Sequence, residues 1–376
     1  MDATKIPLCV PLIEQAELDA VTTVLKSGWL THGPKNSEFE RLFAEHAGTK
    51  HAIAMNSGTS ALFLAVIAHG ITGEVLVPSF TFVASANAIA TAGASPVFVE
   101  INEHDCNVDV DLLEGYLTPR TEAIMPVHFA GQCCDMDRVT AFAEKHNLVI
   151  IEDSAETIGG LFGDKVSGSW GTGCFSFFPT KNITTGEGGM LTTSDDAIAS
   201  RIRTLIGHGI DKTTYQRSQQ NSSWHRAATL RGYNFRMSNL LAAIGVEQMK
   251  KVDAMNNGRR QRSAYLTEQL QNVEELTLPV ENPNSRHVYQ MYTVRCRDGA
   301  SRDSLVNGLK ERGIGASVHF DPPVHKHPAY AEFADIPLPV TDRVAATILT
   351  LPMFPQITEG DLDRVAATVE DILAHG

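Results

Sequence analysis

The stretch LVIIEDSAE, residues 148–156, decides how this chain is built. Four apolar residues follow one another without a polar break, and two acids then close the run. A strand with one face in water would alternate; a continuously apolar one is expected where both faces are covered. The same kind of run occurs at HAIAM (51–55), EVLVP (74–78), PVFVEI (96–101), AIMPVHF (123–129), GCFSFF (173–178) and GMLTTS (189–194). Between these runs, TSALFLAVIAHG, SANAIATAG and MDRVTAFAEKHN read as helices with glycine or asparagine near their ends. The alternation predicts an α/β fold, a three-layer, mostly parallel seven-stranded sheet with helices on both faces.

Beyond this region the pattern changes. Residues 239–270 carry a long helical pattern that reads as a connector leaving a large domain, residues 1–250. A smaller C-terminal α/β domain, residues 251–376, is expected to hold a strand at YQMYTVRC (289–296), a helix through RDSLVNGLKERG (302–313) and a strand at GASVHF (315–320). Its last helix, TEGDLDRVAATVEDILAHG, opens with a capping box made by Thr358 and Asp361. The polar, aperiodic segment 208–234 is long enough to be a functional loop.

With 376 residues, 43% of them hydrophobic, the chain can bury a sizeable core, which argues against disorder. A formal charge of -13 gives no basic footprint for nucleic acid or an anionic membrane, though helix N-termini in an acidic chain still bind phosphates. The first twenty residues lack a secretory pattern, and no apolar run is long enough to span a bilayer. Six cysteines show neither a CxxC pair nor metal spacing, and the vicinal Cys133 and Cys134 read as a buried pair. Together these features predict a cytoplasmic enzyme without structural disulfides or a metal; HKH at 325–327 lacks a third ligand.

Three features fall at the carboxyl ends of expected strands, where open α/β sheets place ligands. After HAIAM, the run Ser57-Gly58-Thr59-Ser60 starts a helix with free N–H groups and hydroxyls, a cradle for a phosphate or simply a helix cap. LVIIED delivers Asp153 to a strand end, with Glu156 three residues on; such an acid serves as a counter-ion or as a cap. In FSFFPTKNITTGEGG (175–189), Ser176 precedes Lys181, the only lysine among hydroxyls, small residues and glycines. A lysine that attacks a carbonyl needs partial desolvation. Cradle, acid and lysine are the parts of a pyridoxal 5′-phosphate (PLP) site: phosphate anchor, partner for the pyridinium nitrogen, and the amine that binds the cofactor covalently.

In order along the chain, SGWLTHGPKNSEFERLFAEHAGTKHAIAMNSGTSAL, VPSFTFVASANAI, PVHFAGQ, IEDSAE, FSFFPTKNITTGEGG, GYNFRMSN and GASVHFDPPVH resemble the DegT-type PLP-dependent nucleotide-sugar aminotransferases. That family shares the aspartate aminotransferase fold, fold type I. The resemblance implies that Lys181 holds PLP and shuttles the proton, that Asp153 faces the ring nitrogen, and that Glu156 lies near the 3′-oxygen. It implies that Phe82 stacks on the ring, although a core position is the structural alternative. Gly58, Thr59 and Ser176 match phosphate contacts. Asn234 matches a residue that reaches the cofactor of a neighbouring subunit, which implies a homodimer with shared active sites. His319 and His325 resemble the segment near the sugar site, yet also read as surface histidines. His128 reads as a ligand contact or a buried histidine, and Trp224 as part of a nucleotide cover.

The implied reaction moves an amino group from L-glutamate, leaving 2-oxoglutarate, to a nucleotide-linked 4-keto-6-deoxy sugar, for cell-surface glycan biosynthesis. A C3-keto sugar or a cyclitol ketone is the alternative acceptor. A sugar dehydratase of the same fold carries histidine in place of this lysine, and a non-catalytic regulatory protein has no need of lysine, acid and cradle together. The glycines of GGLFGDKVSGSWGTG do not follow a strand and open a helix, as a dinucleotide fingerprint requires.

Overall fold

The computed structural model describes residues 5–211, 215 and 227–375. Its main sheet has seven strands, in the spatial order His51–Met55, Gly189–Thr193, Thr172–Ser176, Val149–Asp153, Thr121–Ile124, Glu74–Pro78 and Ser95–Val99. All run in one direction except Gly189–Thr193, which is antiparallel to both of its neighbours. The carboxyl ends of Met55, Asp153 and Ser176 therefore share one edge, together with the start of the reversed strand at Gly189.

The continuous apolar runs are largely buried, although Leu148, Val149 and Ile150 are only half-buried. Ile53, Val75, Leu76, Val77, Ile124 and Ile151 are inaccessible to solvent. Helix Gly58–His69 is apolar nearly all round because it packs beneath the sheet, and Gly70 ends it at φ 71° in the left-handed region. Helix Met136–His146 is capped by Asp135, whose carboxylate accepts from Arg138 N–H, and is ended by Asn147 at φ 55°. The expected strand at 123–129 is cut short at Ile124. Pro126 has no N–H to continue the ladder, and only Val127 bridges to Asp153 beyond it.

Three further expectations meet the structure in the C-terminal part. The 239–270 pattern is two helices, Asn239–Met249 and Val252–Leu270, rather than one. Lys251 leaves helical geometry between them, and its ammonium lies 2.9 Å from Glu14 and 2.7 Å from Glu17. The strand expected at GASVHF is absent. Residues there make single bridges, Ile6 to Ile314 and Ser317 to Thr350, before Pro322 and Pro323, which have no N–H to pair. The antiparallel sheet of this part is instead Leu276–Thr277, Tyr292–Cys296 and Ile348–Leu351. ILTL before Pro352 was the signal for the last strand.

The final helix, Glu359–His375, does open with the expected capping box: Thr358 Oγ1 accepts from Asp361 N–H at 3.1 Å, and Thr358 N–H donates to Asp361 Oδ2 at 3.2 Å. Ile6, near the start of the chain, packs in the core formed by Leu266, Tyr292, Leu309 and Leu349. No helix among the described residues is long and apolar enough to cross a membrane.

Candidate active site

At the end of strand His51–Met55 the chain turns into a helix. Ser57 caps it, its hydroxyl accepting from Ser60 N–H at 3.1 Å, which leaves the N–H groups of Gly58 and Thr59 without an intrahelical partner. A Cβ at Gly58 would stand 2.9 Å from Ser176 Cβ and 3.1 Å from the Phe175 carbonyl, and one at Gly189 only 2.3 Å from Ser57. Three backbone segments thus meet closely around a helix N-terminus, with Ser176 beside it. Such a cradle attracts an anion through N–H groups and the helix dipole.

Asp153 ends strand Val149–Asp153, which pairs with Thr172–Ser176, and is 5% exposed. Ser85, in the first turn of helix Ala84–Thr91, donates to its Oδ2 at 2.7 Å, and Ala155 N–H donates to Oδ1 at 3.2 Å. Burial pushes this carboxyl up from its ordinary range, against the pull of those two donors. The group is oriented but poorly compensated, and a cationic N–H donor opposite it would supply what it lacks.

Lys181 sits in a tight turn. Its N–H donates to the Phe178 carbonyl at 2.9 Å, while Phe177 and Thr185 pair across the turn and Gly186 takes φ 83°. Its Nζ lies 3.3 Å from Glu156 Oε1, and Glu156 Oε2 accepts from Ala130 N–H at 3.0 Å. The lysine's ion-pair partner comes from 25 residues upstream. Gly58, Thr59, Phe82, Asp153, Glu156, Ser176, Lys181 and His319 all line one cavity of about 410 Å³.

Known proteins resemble this chain over nearly their full length. The model of the DegT/DnrJ/EryC1/StrS aminotransferase family matches residues 11–370. The chain belongs to that family. The spore coat polysaccharide biosynthesis protein SpsC of Bacillus subtilis is 40% identical, over 98% of this chain and 97% of its own. GDP-perosamine synthase of Caulobacter vibrioides is also 40% identical, over 99% of both chains. Among solved structures, DesV of S. venezuelae superposes with a TM-score of 0.91 at 32% identity, covering 100% of each chain. The mainly parallel seven-stranded sheet is accordingly that of the PLP-dependent transferases of fold type I.

Aminotransferases of this family depend on PLP, and the cavity suits it. A buried, desolvated carboxylate, a sequestered amine and a glycine cradle that admits no Cβ match pyridinium, aldehyde and phosphate in turn. Phe82 is 62% exposed, an unusual position for phenylalanine and the opposite of a core residue. His319 Nδ1 stands 2.8 Å from Thr350 Oγ1, and burial holds its imidazole below the ordinary range, so it faces the cavity neutral.

Other candidates lie elsewhere in the aminotransferase. His325 is not in the cavity lining. It is fully buried, with Nδ1 2.6 Å from Ser79 Oγ, because the turn after Pro323 tucks it behind the sheet edge. His128 is buried too, paired with Glu152 at 3.1 Å. Asn234 is exposed and outside the lining, bridged through its backbone to Gly207. Trp224 falls outside the described residues. Sequence reasoning missed Ser85 and Thr81, whose hydroxyls, 2.8 Å apart, lead to Asp153. The hydroxyls of PSFTFVAS, following a strand, were the available signal.

Proposed function

We propose that this aminotransferase takes the amino group of L-glutamate, releasing 2-oxoglutarate, and delivers it to C4 of a nucleotide-linked 4-keto-6-deoxy sugar. The observation that carries the reading is the convergence of Lys181, Asp153 and the Gly58–Thr59 helix start on one cavity. Full-length similarity to a GDP-perosamine synthase supports a nucleotide-linked sugar as the acceptor.

In this reading PLP, held covalently by Lys181, supplies an electron-withdrawing ring conjugated to the carbon that gains or loses the amino group. The remaining work belongs to the chain. N–H groups of Gly58 and Thr59, with Ser176, hold the phosphate. Asp153, oriented by Ser85 and Ala155, keeps the ring nitrogen protonated through a charge-assisted hydrogen bond. Phe82 covers one ring face.

In each half of the reaction Lys181 would take a proton from one carbon and return it to another, acting as base and then acid. Glu156 holds the ammonium between the two steps. His319, whose Nδ1 is engaged by Thr350, presents its Nε2 to a sugar hydroxyl. The exposed Asn234 reaches the phosphate site of a second copy of the chain, which makes the working enzyme a homodimer.

The test is a panel of GDP-, UDP- and dTDP-linked 4-keto and 3-keto sugars with glutamate, the products being located by NMR. An amine at C4 is expected. Amination at C3, or of a cyclitol ketone only, would overturn the acceptor assignment.

A further inference from the structure

Lys181 is held from both flanks by one short segment about 110 residues downstream. Gln290 Nε2 donates to the carbonyl of Thr180 at 2.8 Å, and Asn182 Nδ2 donates to the carbonyl of Val288 at 3.3 Å. The same segment is fastened to the turn at Ala130 and Gly131, where Val288 N–H donates to Gly131 O at 2.9 Å and Met291 N–H to Ala130 O at 3.2 Å. Ala130 N–H donates to Glu156, and Glu156 meets Lys181 Nζ. The bonds close a ring that begins and ends at the lysine. Behind it the buried Arg259 donates to the carbonyls of Tyr289, Gln290 and Met353, so the segment has little freedom.

Chemistry fixes how the Gln290 amide points. The Thr180 carbonyl only accepts, so the NH2 group must face it and the amide oxygen must turn away. That oxygen is buried with no donor among the described residues, although Gln290 is 5% exposed and lines the cavity. A methionine would fill the same space without stranding a buried acceptor. What the amide adds is the N–H donor to Thr180.

We infer that Gln290 is a positioning residue for amino transfer: by pinning the Thr180 carbonyl it holds the Lys181 amine against Glu156 at the cavity wall. The consequence for turnover rests on Lys181 being the reacting amine; the clamp itself does not. Loss of the clamp lets the turn shift, and a displacement of an ångström in a reacting group costs rate rather than binding.

Two variants test it. Gln290→Met keeps length and removes the donor. Gln290→Glu sets an acceptor against an acceptor until the carboxyl is protonated and donates in the amide's place. In PLP-free enzyme, trace acetylation with acetic anhydride, read by peptide mass spectrometry against exposed Lys250, should label Lys181 about threefold or more faster in Gln290→Met, and kcat of the holoenzyme should fall about 10- to 100-fold with KM for glutamate changed by less than about twofold. For Gln290→Glu, the ratio of its kcat to wild type should climb as pH is lowered from about 8 to about 6.

Labelling and kcat of Gln290→Met both at wild-type level, or a Gln290→Glu profile parallel to wild type, would overturn the clamp. A Lys181→Ala enzyme with full turnover would overturn the role of the lysine instead, while the labelling ratio would still judge the clamp.

Discussion

Lys181 Nζ lies 3.3 Å from Glu156 Oε1, and the two side chains are only 15% and 10% exposed. A pair this sequestered is not screened like a surface salt bridge, and each partner constrains the other. Lys181→Ala is expected to abolish aminotransfer and to leave borohydride-treated holoenzyme without a covalent cofactor adduct by mass spectrometry. Glu156→Gln keeps an acceptor for Ala130 N–H while removing the charge, so its turnover should fall by no more than about tenfold.

Asp153 is costly to the empty protein. Burial raises its carboxyl above the unfolded value, so the folded state holds that proton more tightly. The group's contribution to stability is therefore most favourable at low pH and is lost as pH rises through the folded value. Asp153→Asn should melt a few degrees higher than wild type at pH 7–8 without PLP, by roughly 1 kcal/mol or more, with the difference vanishing near pH 4. The same variant should lose at least about 100-fold in turnover, since a neutral amide does not hold the ring nitrogen protonated.

Gly58 is where the cradle admits no side chain. A Cβ there would stand 2.9 Å from Ser176 Cβ, so Gly58→Ala must push the helix start away from strand Thr172–Ser176. A cost of about 1–3 kcal/mol in stability is expected, with PLP affinity, titrated by absorbance, weakened at least about tenfold.

Phe82 stands exposed at the cavity and contributes little to the core. Phe82→Ala should leave the melting temperature of the PLP-free protein nearly unchanged, within about 0.5 kcal/mol. Loss of cofactor on dialysis should nevertheless be faster.

His287 reports on acid stability. Burial, with the Arg260 charge next, holds its imidazole down at about 3, well below the unfolded value. The neutral ring accepts from Tyr289 N–H at 2.9 Å, so the stability it supports is present above about pH 6.5 and is lost progressively as pH falls from there toward 3. In His287→Asn, denaturant-derived stability should vary less steeply between about pH 6.5 and 4, by up to about 1.4 kcal/mol per pH unit.

Much of this molecule was legible along the chain because its determinants are local. Continuously apolar runs such as LVII (148–151) mark strands within a covered sheet, and Asn147 and Gly70 mark helix ends through their tolerance of positive φ. Thr358 and Asp361 announce a capping box within one turn. The misreadings arose where a distant partner decides. GASVHF has the composition of a strand, but its neighbours Ile6 and Thr350 offer only single bridges. The pattern 239–270 looks unbroken, yet Lys251 leaves helical geometry where its ammonium meets Glu14 and Glu17.

The sequence by itself determined the class of fold, the strand ends that carry Met55, Asp153 and Ser176, and the lysine that stands apart from other charges. Apolar periodicity and turn chemistry encode those features within a few residues. Only the tertiary structure decided which side chains meet. Ser85 finds Asp153, Glu156 finds Lys181, and Gln290 grips Thr180, whereas His325 is turned away from the cavity that His319 enters. Those encounters depend on the order in which strands pair and on how closely the layers pack, and no local pattern records either.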